Sequence, residues 1–275
     1  MAGRRALCVG IDQFVNLPSV SMRGCVNDAN EMAALLQKLL GFDRDEITLL
    51  RDHEATKRAI LEELEAMVDG AEDGAYSYLF FSLSTRGTQV ADLDGAERDR
   101  ADEAYCPSDL QQKGDQWDPE CLILDDEMRD LFARLPTNAL LEAVMDTSHC
   151  GAGLRAADML LDRRPRFLPP PTWDAFSEVD GRQPRGLSRG LLEAGVTHHV
   201  LWTSCRSDQV SAEARISGEW HGAFTYFLCK EMYACGNALP RQKLLEKARA
   251  DLAAAHFGQT PQLECSTDAR QAPPG

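Results

Sequence analysis

Leu140-Leu-Glu-Ala-Val-Met-Asp-Thr-Ser-His-Cys-Gly-Ala-Gly153 is the stretch whose reading decides the fold. The apolar run 140–144 predicts a buried strand, and the small, glycine-bearing run after it predicts a loop at the strand's carboxyl end. Open α/β proteins present reactive side chains at that place. The loop offers Ser148, His149 and Cys150 side by side, so any chemistry has to be assigned among them.

Other segments of the same kind lie on either side. Residues 6–11, 47–50, 76–83 and 199–203 predict further strands. Between them, Asn27-Asp28 can cap a helix bearing Met32, Leu35, Leu36, Leu39 and Leu40, closed by Gly41. Thr56 to Val68 predicts a second helix, with Thr56 as N-cap and Gly70 just past its end. A terminal helix pair is expected around 221–235 and 241–256. Strands alternating with helices imply a mostly parallel sheet covered on both faces. Residues 91–118 predict an acidic, irregular excursion. Residues 155–190, rich in Arg and Pro, predict an exposed linker between two lobes. The chain therefore divides into 1–154, a linker at 155–190, and 191–275, all within one structural domain.

Composition narrows the function classes. The chain has 275 residues, 44% hydrophobic and 27% charged, with a formal net charge of −15. That charge argues against a nucleic-acid surface and against anionic membranes, and is compatible with basic substrates or divalent cations. Nine cysteines without CxxC spacing, several in apolar runs, read as reduced buried thiols. The N-terminal apolar run is too short for a signal peptide or membrane span, so a cytoplasmic location is expected.

Several motifs together resemble the caspase-like peptidases, most closely type I metacaspases and the bacterial orthocaspases. They are Arg5-Ala-Leu-Cys-Val-Gly-Ile-Asp12, Met22-Arg-Gly-Cys-Val-Asn-Asp28, Tyr78-Leu-Phe-Phe-Ser-Leu-Ser-Thr-Arg-Gly-Thr-Gln89, Asp125-Asp-Glu127 and Met145-Asp-Thr-Ser-His-Cys-Gly151. Thr203-Ser-Cys-Arg-Ser-Asp-Gln209, Gly222-Ala-Phe-Thr-Tyr226 and Gln259-Thr-Pro-Gln-Leu263 follow in the family's order. The resemblance implies a three-layer α-β-α sandwich around a six-stranded, mainly parallel sheet. It also implies a cysteine nucleophile, assisted by a histidine, that attacks the carbonyl after an Arg or Lys. A thiol is only a few per cent thiolate near neutrality, which is why the pair is needed.

Carried over residue by residue, the base position falls on Arg86 and the nucleophile position on Ser148. Arginine has no lone pair to accept a proton, and a serine hydroxyl needs a strong, well-placed base. The chain therefore reads as a pseudopeptidase. The two rescues are weak: His149 is adjacent to Ser148, and adjacent side chains rarely face each other, while Cys150 stands at a small-residue position of the family. His221 reads as a helix-start residue.

The family's pocket for the basic residue corresponds to Cys25, Asp28, Ser84 and Asp146, all of the family's residue type. Two carboxylates in a cleft suit a guanidinium. Arg86, a new cation at the rim of this pocket, is expected to pair with Asp28 or Asp146 and plug it. The family's calcium positions fall on Asp109, Asp125 and Asp126, hard oxygen ligands of the kind Ca²⁺ takes, with Arg155 at the fourth. Asp125 and Asp126 equally suit the start of a helix over 126–135. The run 92–103 reads as a solvated loop lacking EF-hand register. Arg155, Arg163, Arg164, Arg166, Arg182, Arg185 and Arg189 lie in the expected linker, where active relatives cut themselves.

The expected function is a non-catalytic, monomeric domain that binds Arg/Lys segments of a peptide or protein, or regulates an active caspase-like relative. The alternatives are a residual Arg/Lys-specific endopeptidase using Ser148 or Cys150, and a structural interaction module.

Overall fold

The structure, a computed structural model, describes residues 3–91, 101–149, 162–179 and 187–275. Cys150, Arg155, Arg182, Arg185 and most of the 92–103 run lie outside the described residues, as does the side chain of Arg189.

The strands are β1 (Gly3–Gly10), β2 (Ile47–Arg51), β3 (Tyr76–Ser84), β4 (Gly87–Ala91), β5 (Ala101–Tyr105), β6 (Gln112–Lys113), β7 (Gln116–Trp117), β8 (Ile123–Leu124), β9 (Leu140–Asp146), β10 (Arg164–Pro165), β11 (His199–Thr203), β12 (Ala212–Ile216), β13 (Glu219–Gly222) and β14 (Gln262–Cys265). The helices are α1 (Cys25–Leu39), α2 (Lys57–Glu72), α3 (Asp125–Phe132), α4 (Trp173–Val179), α5 (Leu187–Glu193), α6 (Ala223–Cys235), α7 (Arg241–Ala254) and α8 (Thr267–Gln271).

Six strands form the central sheet in the order β14-β11-β9-β3-β1-β2, parallel except for β14. The alternation of β1 assigns its faces. Leu7 and Val9 enter one core with Ile60 and Leu64 of α2 and Met128 and Phe132 of α3. Ala6 and Cys8 enter the other core with Leu35 and Leu36 of α1, Phe224 and Leu228 of α6, and Leu244 of α7. This is the three-layer α/β architecture expected, with all five predicted strands present.

One polar group interrupts the second core. Glu142 of β9, 1% exposed, accepts Arg241 Nε at 2.9 Å and Nη2 at 2.6 Å. It also accepts Trp202 Nε1 and Tyr78 Oη, each at 2.9 Å. Four donors on one carboxylate satisfy a charge that burial would otherwise make costly.

Three local expectations are corrected. Thr56 does cap α2, accepting the Ala59 amide at 3.2 Å, but the helix runs through Gly70 to Glu72. A Cβ at Gly70 would lie 2.3 Å from the Tyr76 ring, so that glycine serves packing and not termination. The 91–118 excursion is not irregular throughout: β5 pairs antiparallel with β4, and β6 with β7. The 155–190 segment is not a uniformly exposed linker, since it contains α4, β10 and a fully buried Arg166.

No helix is long and apolar enough to cross a membrane among the described residues.

Candidate functional site

Parallel register brings the carboxyl ends of three strands to one level: Gly10 pairs with Ser84, and Ser84 with Asp146. Asp28, in the first turn of α1, faces the same point. The sequence thus converges Ser84, Asp28 and Asp146 from a strand end, a helix start and a second strand end. All three are buried, at 4%, 1% and 1% exposure.

The group they surround is Arg166. Its side chain is 0% exposed, and Nη2 donates to Asp28 Oδ2 at 2.5 Å. Nη1 donates to Ser84 Oγ and to the Asp146 carbonyl, both at 2.8 Å, and lies 3.3 Å from Asp146 Oδ2. Ser84 Oγ in turn donates to Asp28 Oδ2 at 2.9 Å. The carboxylates are held from behind. Asp28 accepts the Gly222 amide at 3.0 and 3.1 Å, and Asp146 accepts Ser211 Oγ and Thr225 Oγ1, each at 2.7 Å. Burial alone would lower the guanidinium's hold on its proton, but Asp146 and Asp28 keep it well above its ordinary range. Gly222 is needed at the wall: a Cβ there would lie 2.3 Å from Asp146 Oδ2 and 2.7 Å from Arg166 Cζ.

The backbone around Arg166 runs as an added strand. Arg164 and Pro165 pair antiparallel with Glu213 and Ala212, and the Arg166 amide donates to the Ser211 carbonyl at 2.8 Å. The Arg166 carbonyl accepts the Gly87 amide at 2.8 Å, and Leu168 N–H donates to Gly87 O at 2.8 Å. The two preceding arginines are also seated. Arg164 stacks over Trp220 at 5.1 Å, and Arg163 over Phe257 at 3.9 Å.

Arg86 does not occupy the pocket, which corrects the expectation. It makes no ion pair with Asp28 or Asp146. Its Nε donates to Val20 O at 2.7 Å, and its Nη1 to Pro165 O at 3.0 Å and Phe167 O at 2.9 Å. A forked, permanently charged donor is suited to bridging two carbonyls, and here it grips the backbone on both sides of Arg166.

Ser148 lies against this region. A Cβ on Gly87 would meet the Ser148 carbonyl oxygen at 2.4 Å and His149 Nε2 at 2.8 Å. Ser148 Oγ is buried and has no hydrogen-bond partner among the described residues, so His149 does not hold it. His149 instead places Nδ1 3.3 Å from Glu103 Oε2 and its ring edge-on to Tyr105. Burial pushes His149 down to about 3 and Glu103 up to about 7, so both tend to neutrality.

The remaining positions are dispersed. Cys25 is fully buried, and burial pushes its thiol well above the usual range; it makes no direct bond to Arg166. His221 sits in β13, not at a helix start, with Nδ1 3.5 Å from Asp28 Oδ1. Asp109 Oδ1 accepts the Lys57 amide at 2.9 Å at the start of α2. Asp125 and Asp126 open α3; Asp126 pairs with Arg129, and burial pushes Asp125 up to about 8. Among the described residues these three do not converge; the one triad that does is Asp12, Cys25 and Glu213.

The metacaspase peptidase C14 domain model matches residues 4–157, more than half of the chain. The chain belongs to the metacaspase family. Metacaspase-1 of Sclerotinia sclerotiorum is 28% identical over 98% of this chain and 67% of its own length. Metacaspase-1A of Aspergillus fumigatus is 28% identical over 96% of this chain and 68% of its own. Among solved structures, a protein from Geobacter sulfurreducens superposes with a TM-score of 0.67 at 18% identity, covering 99% of this chain and 98% of that one. Caspase-1 from Spodoptera frugiperda superposes at 0.59 and 13% identity, covering 96% and 86%. These structural likenesses carry the caspase-like fold.

The family-model match ends at residue 157, before the residue that fills the pocket. Sequence reading named Arg166 only among exposed linker arginines. The available signal was its setting: Arg163-Arg164-Pro165-Arg166 is followed by Phe167-Leu168, apolar residues that an exposed linker does not need.

Proposed function

We propose that this metacaspase-family domain is a pseudopeptidase whose pocket for a basic residue is held by its own Arg166. The segment 163–168 lies as a substrate would, with a basic side chain between two carboxylates and its carbonyl on a backbone N–H. That N–H, from Gly87, is the kind of donor that stabilises an oxyanion during acyl transfer. In this reading the bond after Arg166 is the one an active relative would cut, and Arg86 and Ser148 stand at the positions that the resemblance assigns to the base and nucleophile.

The single observation that carries this reading is Arg86. At the position of a general base, it donates to the carbonyls of Pro165 and Phe167. A residue that cannot accept a proton holds the substrate-like segment in place. The domain would expose its site to an outside Arg/Lys segment, from a protein partner or an active relative, only when 163–168 leaves. The Ser148 hydroxyl, without a hydrogen-bond partner among the described residues, supports loss of catalysis, because an unassisted hydroxyl is a poor nucleophile.

The test is a fluorescence-anisotropy titration of a labelled Arg-Arg-Pro-Arg peptide amide against wild type and Arg166→Ala, alongside a fluorogenic Arg-substrate assay. The reading expects weak binding by wild type, tighter binding by the variant, and hydrolysis by neither. Turnover by the wild-type chain, or equal binding by both forms, contradicts it.

A further inference from the structure

A second cluster lies beside the arginine pocket and makes no hydrogen bond or ion pair to Arg166 among the described residues. Asp12 follows β1, Cys25 opens α1, and Glu213 sits on β12. One donor atom from each, two carboxylate oxygens and a thiol sulfur, lies within 4.8 Å of the other two. We propose that Asp12, Cys25 and Glu213 form a binding site for a thiophilic divalent cation of the zinc class.

Glu213 points to a ligand independently of the clustering. Its side chain is 0% exposed, and Oε2 accepts the amides of Arg23 at 3.2 Å and Gly24 at 2.9 Å. Oε1 is buried with no hydrogen-bond partner among the described residues. A buried carboxylate oxygen left open is costly, and a cation removes that cost. Asp12 accepts the Cys25 amide at 2.8 Å and the Val26 amide at 3.3 Å, which fixes the carboxylate over the start of α1. Asp12 is also the partly exposed member, so the ion enters at its edge and solvent completes the coordination there.

The donor set selects the metal. One thiolate with two carboxylates suits a borderline cation such as Zn²⁺ or Co²⁺, whereas Ca²⁺ and Mg²⁺ take oxygen alone. Zinc–sulfur and zinc–oxygen bonds of about 2.3 and 2.0 Å put donors about 3.5 Å apart, so the side chains close in by about 1 Å. The nearby guanidinium of Arg166 is engaged with Asp28 and Asp146 and makes no ion pair with Asp12 or Glu213 among the described residues.

Titrating the full chain with Co²⁺ under reducing conditions tests this, because a bound thiolate gives a near-ultraviolet charge-transfer band. The expected result is a saturable band for one equivalent that is lost in Cys25→Ser. The cobalt affinity of Asp12→Asn and Glu213→Gln is expected to fall by about tenfold or more. No band at millimolar Co²⁺ overturns the proposal, as does a band unchanged in Cys25→Ser, which would assign the metal to another of the nine cysteines. Should circular dichroism show Cys25→Ser or Glu213→Gln unfolded, Asp12→Asn decides alone, and an unchanged affinity there overturns it.

Discussion

Arg166 and Asp28, 138 residues apart in sequence, meet as a fully buried ion pair with Nη2 2.5 Å from Oδ2. The pair closes a cleft at the carboxyl edge of the sheet with a segment of the same chain. Removing one member of a buried pair leaves an uncompensated charge, at a cost of about 3–5 kcal/mol. Arg166→Ala is therefore expected to lower the melting temperature by roughly 6–15 °C. Added N-acetyl-arginine amide should restore part of that loss, because it refills the pocket. A melt insensitive to both changes would show that the pair contributes little.

Arg86 holds the same segment by its backbone, through charge-assisted bonds to Pro165 and Phe167. Such bonds contribute about 1.5–3 kcal/mol, so Arg86→Ala should raise the open population of 163–168 by about tenfold or more. Trypsin reads this directly, since Arg166 is inaccessible in the closed state. Mass spectrometry should find cleavage after Arg166 at least about tenfold faster in the variant. Equal rates would mean that Arg86 does not latch the segment.

The Glu103–His149 contact predicts opposite pH responses on either side of one pair. His149 is depressed from 6.5 to about 3, so its neutral form stabilises the fold above 6.5, and that contribution is lost as pH falls towards 3. Glu103 is raised from 4.5 to about 7, so its stabilising protonated state is present below 4.5 and lost as pH rises through 7. Between 4.5 and 6.5 the two slopes cancel in the wild type. Urea unfolding should show Glu103→Gln losing stability on acidification across that window and His149→Phe gaining it. Parallel slopes in the two variants would refute the assignment.

Glu142 predicts a different kind of defect. It is the shared acceptor of Arg241, Trp202 and Tyr78, so Glu142→Gln strands a buried guanidinium. The expected cost is about 3–5 kcal/mol with a change in Trp202 emission. The double change Glu142→Leu with Arg241→Met should recover most of the stability. Failure to recover would show that the network is needed for packing as well as charge.

These residues also show what the sequence could convey. Strand alternation and helix periodicity are local, so β1, β3, β9 and the cap at Thr56 were legible directly. Asp28, Ser84 and Asp146 were named together only through the family resemblance, and the structure does bring them side by side. Arg166 was not legible, because its burial depends on an irregular segment returning across the sheet to pair with β12. No local period encodes that return. Arg86 was misassigned for a related reason: a cation near two carboxylates predicts attraction, but another arginine had already satisfied them. Glu142, inside an apolar run, gave no hint of Arg241 ninety-nine residues later.

The most direct test of the central claim is to rebuild the dyad, with Arg86→His and Ser148→Cys in one chain, and sequence the products by mass spectrometry. The double variant is expected to cut itself after Arg166 while the wild type stays whole. An intact double variant, or cleavage at other sites with Arg166 spared, would contradict the claim that Arg166 lies in the pocket as a substrate.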